Sequence, residues 1–309
     1  MSEKVFFVNW SVDCEATQHA VNDAALGERG ASGFANVLDA HGLLGTFFVI
    51  PGDVESNPLL YRSIRERGHE VGLHLHPGDE GAFEFAGIMG PDEQRDVVMK
   101  AKDRWACAMG FEPRAFCMGY GSANDYTYPV LEECGFTHGQ VGIPGRRLPE
   151  TACVWQGEPQ YIHYANRWNR LLHGDMDFVD VPHTVDPESY MWGGRHPQDL
   201  RVELVDAKNH WYTMFKNVEW QKDDDSIPVK VLRGVTHNTF DYSDPANFRR
   251  QTLEGMIDAM RAIIENAGFM VKPATVGMIV EEFRRTVPKA DPKTLLKLDR
   301  RGYGGKKTV

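Results

Sequence analysis

Short apolar runs alternate with amphipathic segments along most of the chain. Runs typical of buried strands lie at about residues 5–12, 44–50, 71–75, 113–119, 138–143, 178–182 and 229–235. Helices are predicted between them, at about residues 31–41, 58–67, 91–109, 126–134, 199–214 and 253–264, and a short strand and helix at 274–283. Such an alternation predicts an α/β fold with a largely parallel sheet.

Several of these predicted strands end in ionisable side chains. Residues two apart share a face of a strand, so Asp13 and Glu15 point the same way, and so do His74 and His76. His237 follows the strand predicted at 229–235. In an α/β barrel the carboxyl ends of the strands meet at one mouth, which predicts that these side chains form a single site.

The residue types at these strand ends suit a metal-dependent hydrolase. A carboxylate and two imidazoles are typical ligands of a catalytic zinc ion that keeps one position open for water. A further carboxylate can remove a proton, and a further histidine can return one. A histidine pair on a strand is also common without any metal, but the convergence of three strand ends favours the metal site.

Composition limits the possible classes of function. The 309 residues are 42% hydrophobic, and 34 basic residues stand against 44 acidic ones, giving a net charge of −10. This balance argues against a nucleic-acid or anionic membrane surface. The sequence has neither a transmembrane-length apolar stretch nor a signal-peptide pattern, so we expect a cytoplasmic protein. The 5 cysteines lack C-x-x-C spacing, and neither a disulfide framework nor a zinc knuckle is expected.

Residues 1–285 are predicted to form one barrel domain, and 286–309 a basic, solvated C-terminal tail. The strand and helix pattern loosens over about 144–170, which indicates an insertion rich in aromatic residues: Trp155, Tyr161, Tyr164 and Trp168. Such rings either stack on a sugar or pack the insertion against the barrel, and the sequence leaves both interpretations open.

Four segments resemble the motifs of the NodB-type polysaccharide deacetylases, carbohydrate esterase family 4. They are Ser11–Glu15, Gly68–His74, Phe116–Asn124 and Val231–His237. The first resembles the family variant in which the acidic residues are two apart rather than adjacent. The resemblance implies an irregular (β/α)7 barrel and hydrolysis of the N-acetyl group of an amino sugar.

The resemblance also implies roles for individual residues. Glu15, His74 and His76 would hold a divalent metal, most simply Zn²⁺, Asp13 would be the general base, and His237 would protonate the departing amine. Asp13 and Glu15 could exchange roles. The third motif lines the substrate groove in the family, which implies substrate contacts for the side chains of Arg114, Cys117, Tyr120, Ser122 and Asn124.

Two positions depart from the family pattern. The second family histidine lies four residues after the first, where this chain has Gly78. His76 is the natural substitute because it shares a face with His74, and Asp79 or Glu80 are alternative ligands.

Cys117 stands where the family's third motif usually carries an arginine. The function of that guanidinium group is then either absent or supplied by a neighbour such as Arg114.

Three functions follow from the sequence. The first is metal-dependent deacetylation of an N-acetylated polysaccharide, oligosaccharide or sugar precursor. The second is hydrolysis of another small amide on the same fold, as in allantoinases, and the third is carbohydrate binding without catalysis. No nucleic-acid partner and no membrane insertion are expected. The sequence does not identify the sugar, the native metal or the oligomeric state.

Overall fold

The computed structural model describes residues 4–289, in which strands and helices alternate. The strands are β1 (Val5–Cys14), β2 (Gly45–Val49), β3 (Glu70–Leu75), β4 (Ala115–Met118), β5 (His138–Gln140), β6 (Arg147–Leu148), β7 (Cys153–Val154), β8 (His163–Tyr164), β9 (Val179–Asp180), β10 (Val185–Met191), β11 (His196–Asp199), β12 (Val231–His237) and β13 (Met270–Pro273). The helices are α1 (Ala24–Ala40), α2 (Pro51–Ser56), α3 (Pro58–Glu66), α4 (Pro91–Met109), α5 (Thr127–Glu133), α6 (Ala207–Lys222), α7 (Phe248–Asn266) and α8 (Val276–Thr286). None of these described helices has the length and apolar character needed to cross a bilayer. Most of the predicted basic tail lies outside the described residues.

A curled sheet of 9 strands forms the centre of the fold, in the order β12-β1-β2-β3-β4-β5-β9-β8, with β13 also on β1. β8 pairs with β9 in the antiparallel sense. The pairs from β12 through β1, β2, β3, β4 and β5 to β9 are parallel. The parallel α/β architecture predicted from the sequence is therefore present.

A short segment, residues 200–202, closes the sheet into a barrel. The Leu200 N–H donates to the carbonyl of Thr184, which follows β9, and the Val235 N–H of β12 donates to the carbonyl of Leu200. The Val202 N–H donates back to the Val235 carbonyl. The prediction of a helix over 199–214 is wrong in its first part, because these residues run beside β12 and α6 starts only after its N-cap, Asp206.

Alternate residues of β1 contribute to two separate apolar cores, one on each face of the sheet. Phe6, Val8, Trp10 and Val12 belong to the large apolar core between the sheet and the helices. Phe7 belongs to a second core inside the barrel, which includes Val276, Ile279 and Phe283 of α8. The period of two along the strand then places Asp13 on the same inward side as Phe7. Helix α8 fills the amino-terminal end of the barrel, and the carboxyl ends of the strands surround the open end.

The carboxylate of Glu70, at the start of β3, ties α8 to the sheet. It accepts hydrogen bonds from Thr46 Oγ1 at 3.1 Å, the Gly277 N–H at 3.0 Å and His138 Nε2 at 2.8 Å. Burial alone would raise the pKa of this carboxyl, but His138, Gly277 and Thr46 outweigh burial and lower it. The folded protein therefore favours the ionised form of the Glu70 side chain more than the unfolded chain does.

Glu70→Gln is expected to lower the free energy of unfolding at pH 7 by about 1–3 kcal/mol, because a charge-assisted set of hydrogen bonds is lost. A carboxyl with a lowered pKa stabilises the fold above its unfolded pKa, about 4.3 for Glu, and this stabilisation is lost as the pH falls. Urea unfolding at pH 7 and pH 3.5 should show the difference between wild type and variant shrinking at the lower pH. The exposed Glu66→Gln is the control, and an equal difference at both pH values would contradict the assignment.

Candidate functional site

A cavity of about 300 Å³ opens at the carboxyl ends of the strands. The predicted residues from four different strands or strand ends line it together: Asp13, Glu15, His74, His76, Cys117 and His237. These residues are up to 224 positions apart in sequence, from Asp13 to His237, yet the register places Asp13 of β1 directly beside His237 of β12. The barrel topology thus assembles one site from distant positions, as the strand ends predicted.

Three of these side chains converge on one point. Glu15 Oε2 lies 3.2 Å from His74 Nε2 and 3.0 Å from His76 Nε2, and the two Nε2 atoms are 3.2 Å apart. Both imidazoles are buried, and the carboxylate of Glu15 is partly exposed to the cavity. His76 therefore points to the same place as His74, in agreement with their shared face on β3.

The donor set fits a divalent metal. Zinc bonds of about 2.0–2.1 Å in a tetrahedron place two ligand atoms about 3.3 Å apart, close to the spacing in this triad. The other nitrogen of His76, Nδ1, lies 2.6 Å from Glu84 Oε1 and donates to it. Burial alone would lower the pKa of His76, but Glu15 and Glu84 raise it to about 9, so without a metal both ring nitrogens carry protons. A cation bound at Nε2 would take the place of the proton there. Glu84 is then the outer carboxylate that commonly orients a ligating histidine.

The two alternative ligands named from the sequence are not part of this triad. Glu80 is buried and forms an ion pair with Arg104, whose Nη1 lies 2.5 Å from Glu80 Oε1. Asp79 is exposed on the turn after β3 and is not among the described residues that line the cavity. The three side chains whose ligand atoms converge are therefore Glu15, His74 and His76.

Asp13 lies next to the triad on the inner side of β1. Its Oδ1 is 3.7 Å from the sulfur of Cys117, which pairs with His74 in the register of β3 and β4. Burial, followed by the charge of Asp13, raises the pKa of Cys117 well above its usual value, so the thiol keeps its proton and donates it to Asp13. A weak thiol donor thus occupies the position where the family usually has an arginine.

The prediction that Arg114 supplies the guanidinium group is wrong. Arg114 is exposed and precedes β4, at the opposite end of the strand from the cavity. Two guanidinium groups approach from other elements instead. Arg201 lines the cavity, and Arg233 of β12 is buried with its Nη1 3.4 Å from Ser11 Oγ, two residues before Asp13. Neither arginine lies within a segment that resembles the family's third motif, so sequence reasoning did not find them.

His237 is held by a carboxylate that sequence reasoning also missed. Its Nδ1 is hydrogen-bonded to Glu203, and its Nε2 faces Glu15 Oε1 at 3.8 Å. Burial alone would lower the pKa of His237, but the negative charges of Glu203 and Glu15 raise it to about 9. Burial alone would likewise raise the pKa of Glu15, but His237 and the two triad histidines hold it well below the usual range. The charges of Glu203 and Glu15 therefore favour the protonated form of His237.

Residues of the third motif divide into two groups. Tyr120 is half exposed with a left-handed backbone (φ 58°), lines the cavity, and packs edge-on to His76 with 5.3 Å between ring centroids. Ser122 and Asn124 bind the segment before α4 instead. Ser122 Oγ accepts from the Gly87 N–H at 3.1 Å, and Asn124 Nδ2 donates to the Gly87 carbonyl at 3.1 Å. The structure therefore does not support substrate contacts for Ser122 and Asn124.

The aromatic residues of the predicted insertion do not line the cavity within the described part of the chain. Trp155 is fully buried, and its Nε1 donates to the Gly121 carbonyl at 2.7 Å, which favours the packing interpretation. Besides Tyr120, one aromatic side chain at the cavity comes from the tip between β10 and β11. Trp192 lines the cavity and stacks on His196 with 4.5 Å between centroids.

Residues 22–139 match the family model described as polysaccharide deacetylase, which confirms the resemblance predicted from the sequence. A search of curated protein sequences found no match to this chain.

Solved structures share the fold at low sequence identity. One is named as a polysaccharide deacetylase from Mycobacterium smegmatis, with a TM-score of 0.63, 16% identity and 94% of each chain covered. Another, named likewise, is from Pseudomonas aeruginosa PAO1, with a TM-score of 0.60, 14% identity, and 93% of this chain and 92% of that chain covered. The Puue allantoinase has a TM-score of 0.59 at 14% identity, covering 93% of this chain and 91% of that chain. These matches confirm the NodB-type barrel fold.

Proposed function

We propose that this protein, which carries the polysaccharide deacetylase fold, is a metal-dependent hydrolase that removes the N-acetyl group from an amino sugar. The observation that supports the proposal is the convergence of Glu15, His74 and His76 within 3.0–3.2 Å of one another. A second carboxylate, Asp13, and the protonated His237 line the same cavity. This set contains the ligands, the base and the acid that amide hydrolysis requires.

Each side chain has a distinct role in this mechanism. A divalent ion held by Glu15, His74 and His76 would polarise the acetyl carbonyl and lower the pKa of water. Asp13 takes the proton from the attacking water as the oxygen forms its bond to the carbonyl carbon. His237 gives its proton to the nitrogen as the carbon–nitrogen bond breaks, and acetate and the free amine result. Glu84 orients the imidazole of His76, and Glu203 orients that of His237.

The size of the cavity favours a small substrate. Its volume of about 300 Å³ is at the lower end of the range for small-molecule sites, which suits one sugar ring or a compound of similar size. For the same reason, hydrolysis of another small amide is a second candidate function. It is supported by the fold shared with an allantoinase, although the shared fold alone does not specify the substrate.

Metal removal tests the proposal. Purified protein treated with EDTA and then supplied with Zn²⁺ should lose and regain hydrolysis, measured as released acetate for acetamido sugars and as the carboxylic acid formed for ureides. Because the triad supplies three ligands, metal analysis should find one ion per chain. Activity that survives complete chelation would contradict metal dependence. Stoichiometric metal with no hydrolysis across both substrate classes would favour the third function, carbohydrate binding without catalysis.

Glu203→Gln is expected to reduce kcat about ten- to hundredfold while KM and metal content stay near wild type. The amide keeps the shape of the side chain but removes the negative charge beside His237 Nδ1, so His237 is held less well in its protonated, correctly oriented form. Steady-state kinetics and metal analysis would measure both effects. Glu219→Gln, an exposed change on α6, is the control. A loss that appears in KM alone would contradict the positioning role.

A further inference from the structure

One wall of the cavity carries an arginine whose charge is incompletely matched. Arg146, in the loop between β5 and β6, has only 5% of its side chain exposed. Its Nε donates to His196 Nδ1 at 3.1 Å and its Nη1 to the Tyr120 carbonyl at 3.3 Å. Its Nη2 has no hydrogen-bond partner among residues 4–289, and the Asp199 carboxylate lies 3.9 Å from it.

The Asp199 carboxylate also lies close to a second arginine that lines the cavity, Arg201. Arg201 Nη2 is 3.5 Å from Asp199 Oδ2, and Arg201 Nε is buried without a partner in the described chain. Two histidines complete the surroundings of Asp199, with His183 Nδ1 at 3.4 Å and His196 Nε2 at 3.8 Å. Burial lowers the pKa of His196 to about 4 and that of His183 well below its usual value, so both rings are neutral near pH 7.

The remaining carboxylates of the cavity have their own partners. Asp13 accepts from the Cys117 thiol, Glu15 faces His74 and His76, and Glu203, beside the cavity, is hydrogen-bonded to His237. Two guanidinium groups then lie within 4 Å of the single carboxylate of Asp199. Arg146 Nη2 and Arg201 Nε remain without an acceptor in the described part of the chain, and a buried donor that lacks a partner is costly.

We propose that this wall is a binding site for an anion, and that the substrate of the proposed reaction is a small amide carrying a carboxylate or phosphate group. The proposal rests on the proposed function for the scissile amide, and Arg146 and Arg201 supply the further specificity. Carboxylate and phosphate share the planar or bidentate acceptor geometry that a guanidinium fork recognises.

The size and charge of the cavity agree with such a ligand. About 300 Å³ accommodates an acetamido sugar phosphate or an N-acyl amino acid, and both the triad and the arginines line this one volume. A neutral substrate could offer Arg146 Nη2 a hydroxyl or carbonyl acceptor, but only an anion also matches the charge of the guanidinium group. A site with an unpaired buried donor rejects an analogue that cannot satisfy it.

Matched charged and neutral ligands test this inference by calorimetric binding. The pairs are N-acetylglycine with N-acetylglycinamide, and N-acetylglucosamine 6-phosphate with N-acetylglucosamine. We expect the anionic member of at least one pair to bind wild type about tenfold tighter or better. The ligand pair with the larger ratio of anionic to neutral affinity shows whether the site prefers a carboxylate or a phosphate. Measurements on both EDTA-treated and zinc-loaded protein separate binding to the arginines from binding to the metal.

Arg146→Gln and Arg201→Gln should each reduce this preference for the anion at least severalfold, whereas the exposed Arg261→Gln should retain it. The wild-type comparison does not depend on whether a variant folds, and thermal unfolding reports that separately. Equal affinity of the wild type for charged and neutral ligands would overturn the inference. So would a preference for the anion that both arginine variants retain but that EDTA-treated protein lacks. Hydrolysis of neutral amides without anion preference would overturn this inference alone, and anion binding without any hydrolysis would overturn only the proposed function.

Discussion

His74→Ala is expected to abolish stoichiometric metal binding and to reduce kcat/KM at least about thousandfold. His74 is buried, and its Nε2 lies 3.2 Å from both Glu15 Oε2 and His76 Nε2, at the centre of the proposed triad. The loss would remove one of the three ligands that the chain supplies, and a two-ligand site holds zinc weakly. Metal analysis after dialysis and hydrolysis of an acetamido substrate would measure the two losses together.

Two comparisons separate loss of the ligand from loss of the fold. His74→Gln keeps much of the buried volume, and thermal unfolding shows whether either variant is destabilised by the space left behind. His19→Ala, an exposed change, should retain metal and activity. A His74→Ala protein that is folded and still carries one zinc ion per chain would show that the ion is held elsewhere.

Asp13→Asn is expected to retain the metal and to lose about a hundred- to ten-thousandfold in kcat, because the amide cannot accept a proton from water. Glu15→Gln should instead lose the metal, since Glu15 Oε2 is within 3.2 Å of both histidines, whereas Asp13 Oδ1 faces the Cys117 sulfur. Measuring metal content and kcat for both variants separates the base from the ligand.

The alternative left open by the sequence is that the two carboxylates exchange roles. In that case Asp13→Asn would lose the metal and Glu15→Gln would retain it. Asp258→Asn, which removes an exposed carboxylate on α7, controls for the change in net charge and should resemble wild type.

Local patterns predicted the parts of this structure that depend on neighbours in sequence. Helix α4 spans Pro91–Met109, the range that its proline and apolar spacing predicted. The shared face of His74 and His76 on β3 follows from the period of two. Strand ends in a parallel barrel meet at one mouth, which is why Asp13 and His237 could be placed together from sequence.

The missed residues all act through tertiary contacts that no spacing encodes. Glu203 reaches His237 only because residues 200–202 run beside β12, whereas the sequence predicted these residues as part of a helix. Glu84 reaches His76 from an irregular loop, and Arg146 reaches the cavity from another. Ser122 and Asn124 matched a motif, but the backbone of the following segment uses their hydrogen-bonding groups.

The pairing of β1 with β12 gives the proposed site an order of assembly. The proposed metal ligands and Asp13 lie within residues 13–76, on β1 and β3 and at their ends, joined through β2 by adjacent parallel pairs. His237 takes its place only when β12 pairs with β1, a contact between positions 224 residues apart. Arg201 and Glu203 join the site beside β12. Long-range contacts of this kind form late because their loop-closure entropy is greater. A refolding chain should therefore acquire its metal ligands before its acid and its arginine wall, and recovery of metal affinity should precede recovery of turnover.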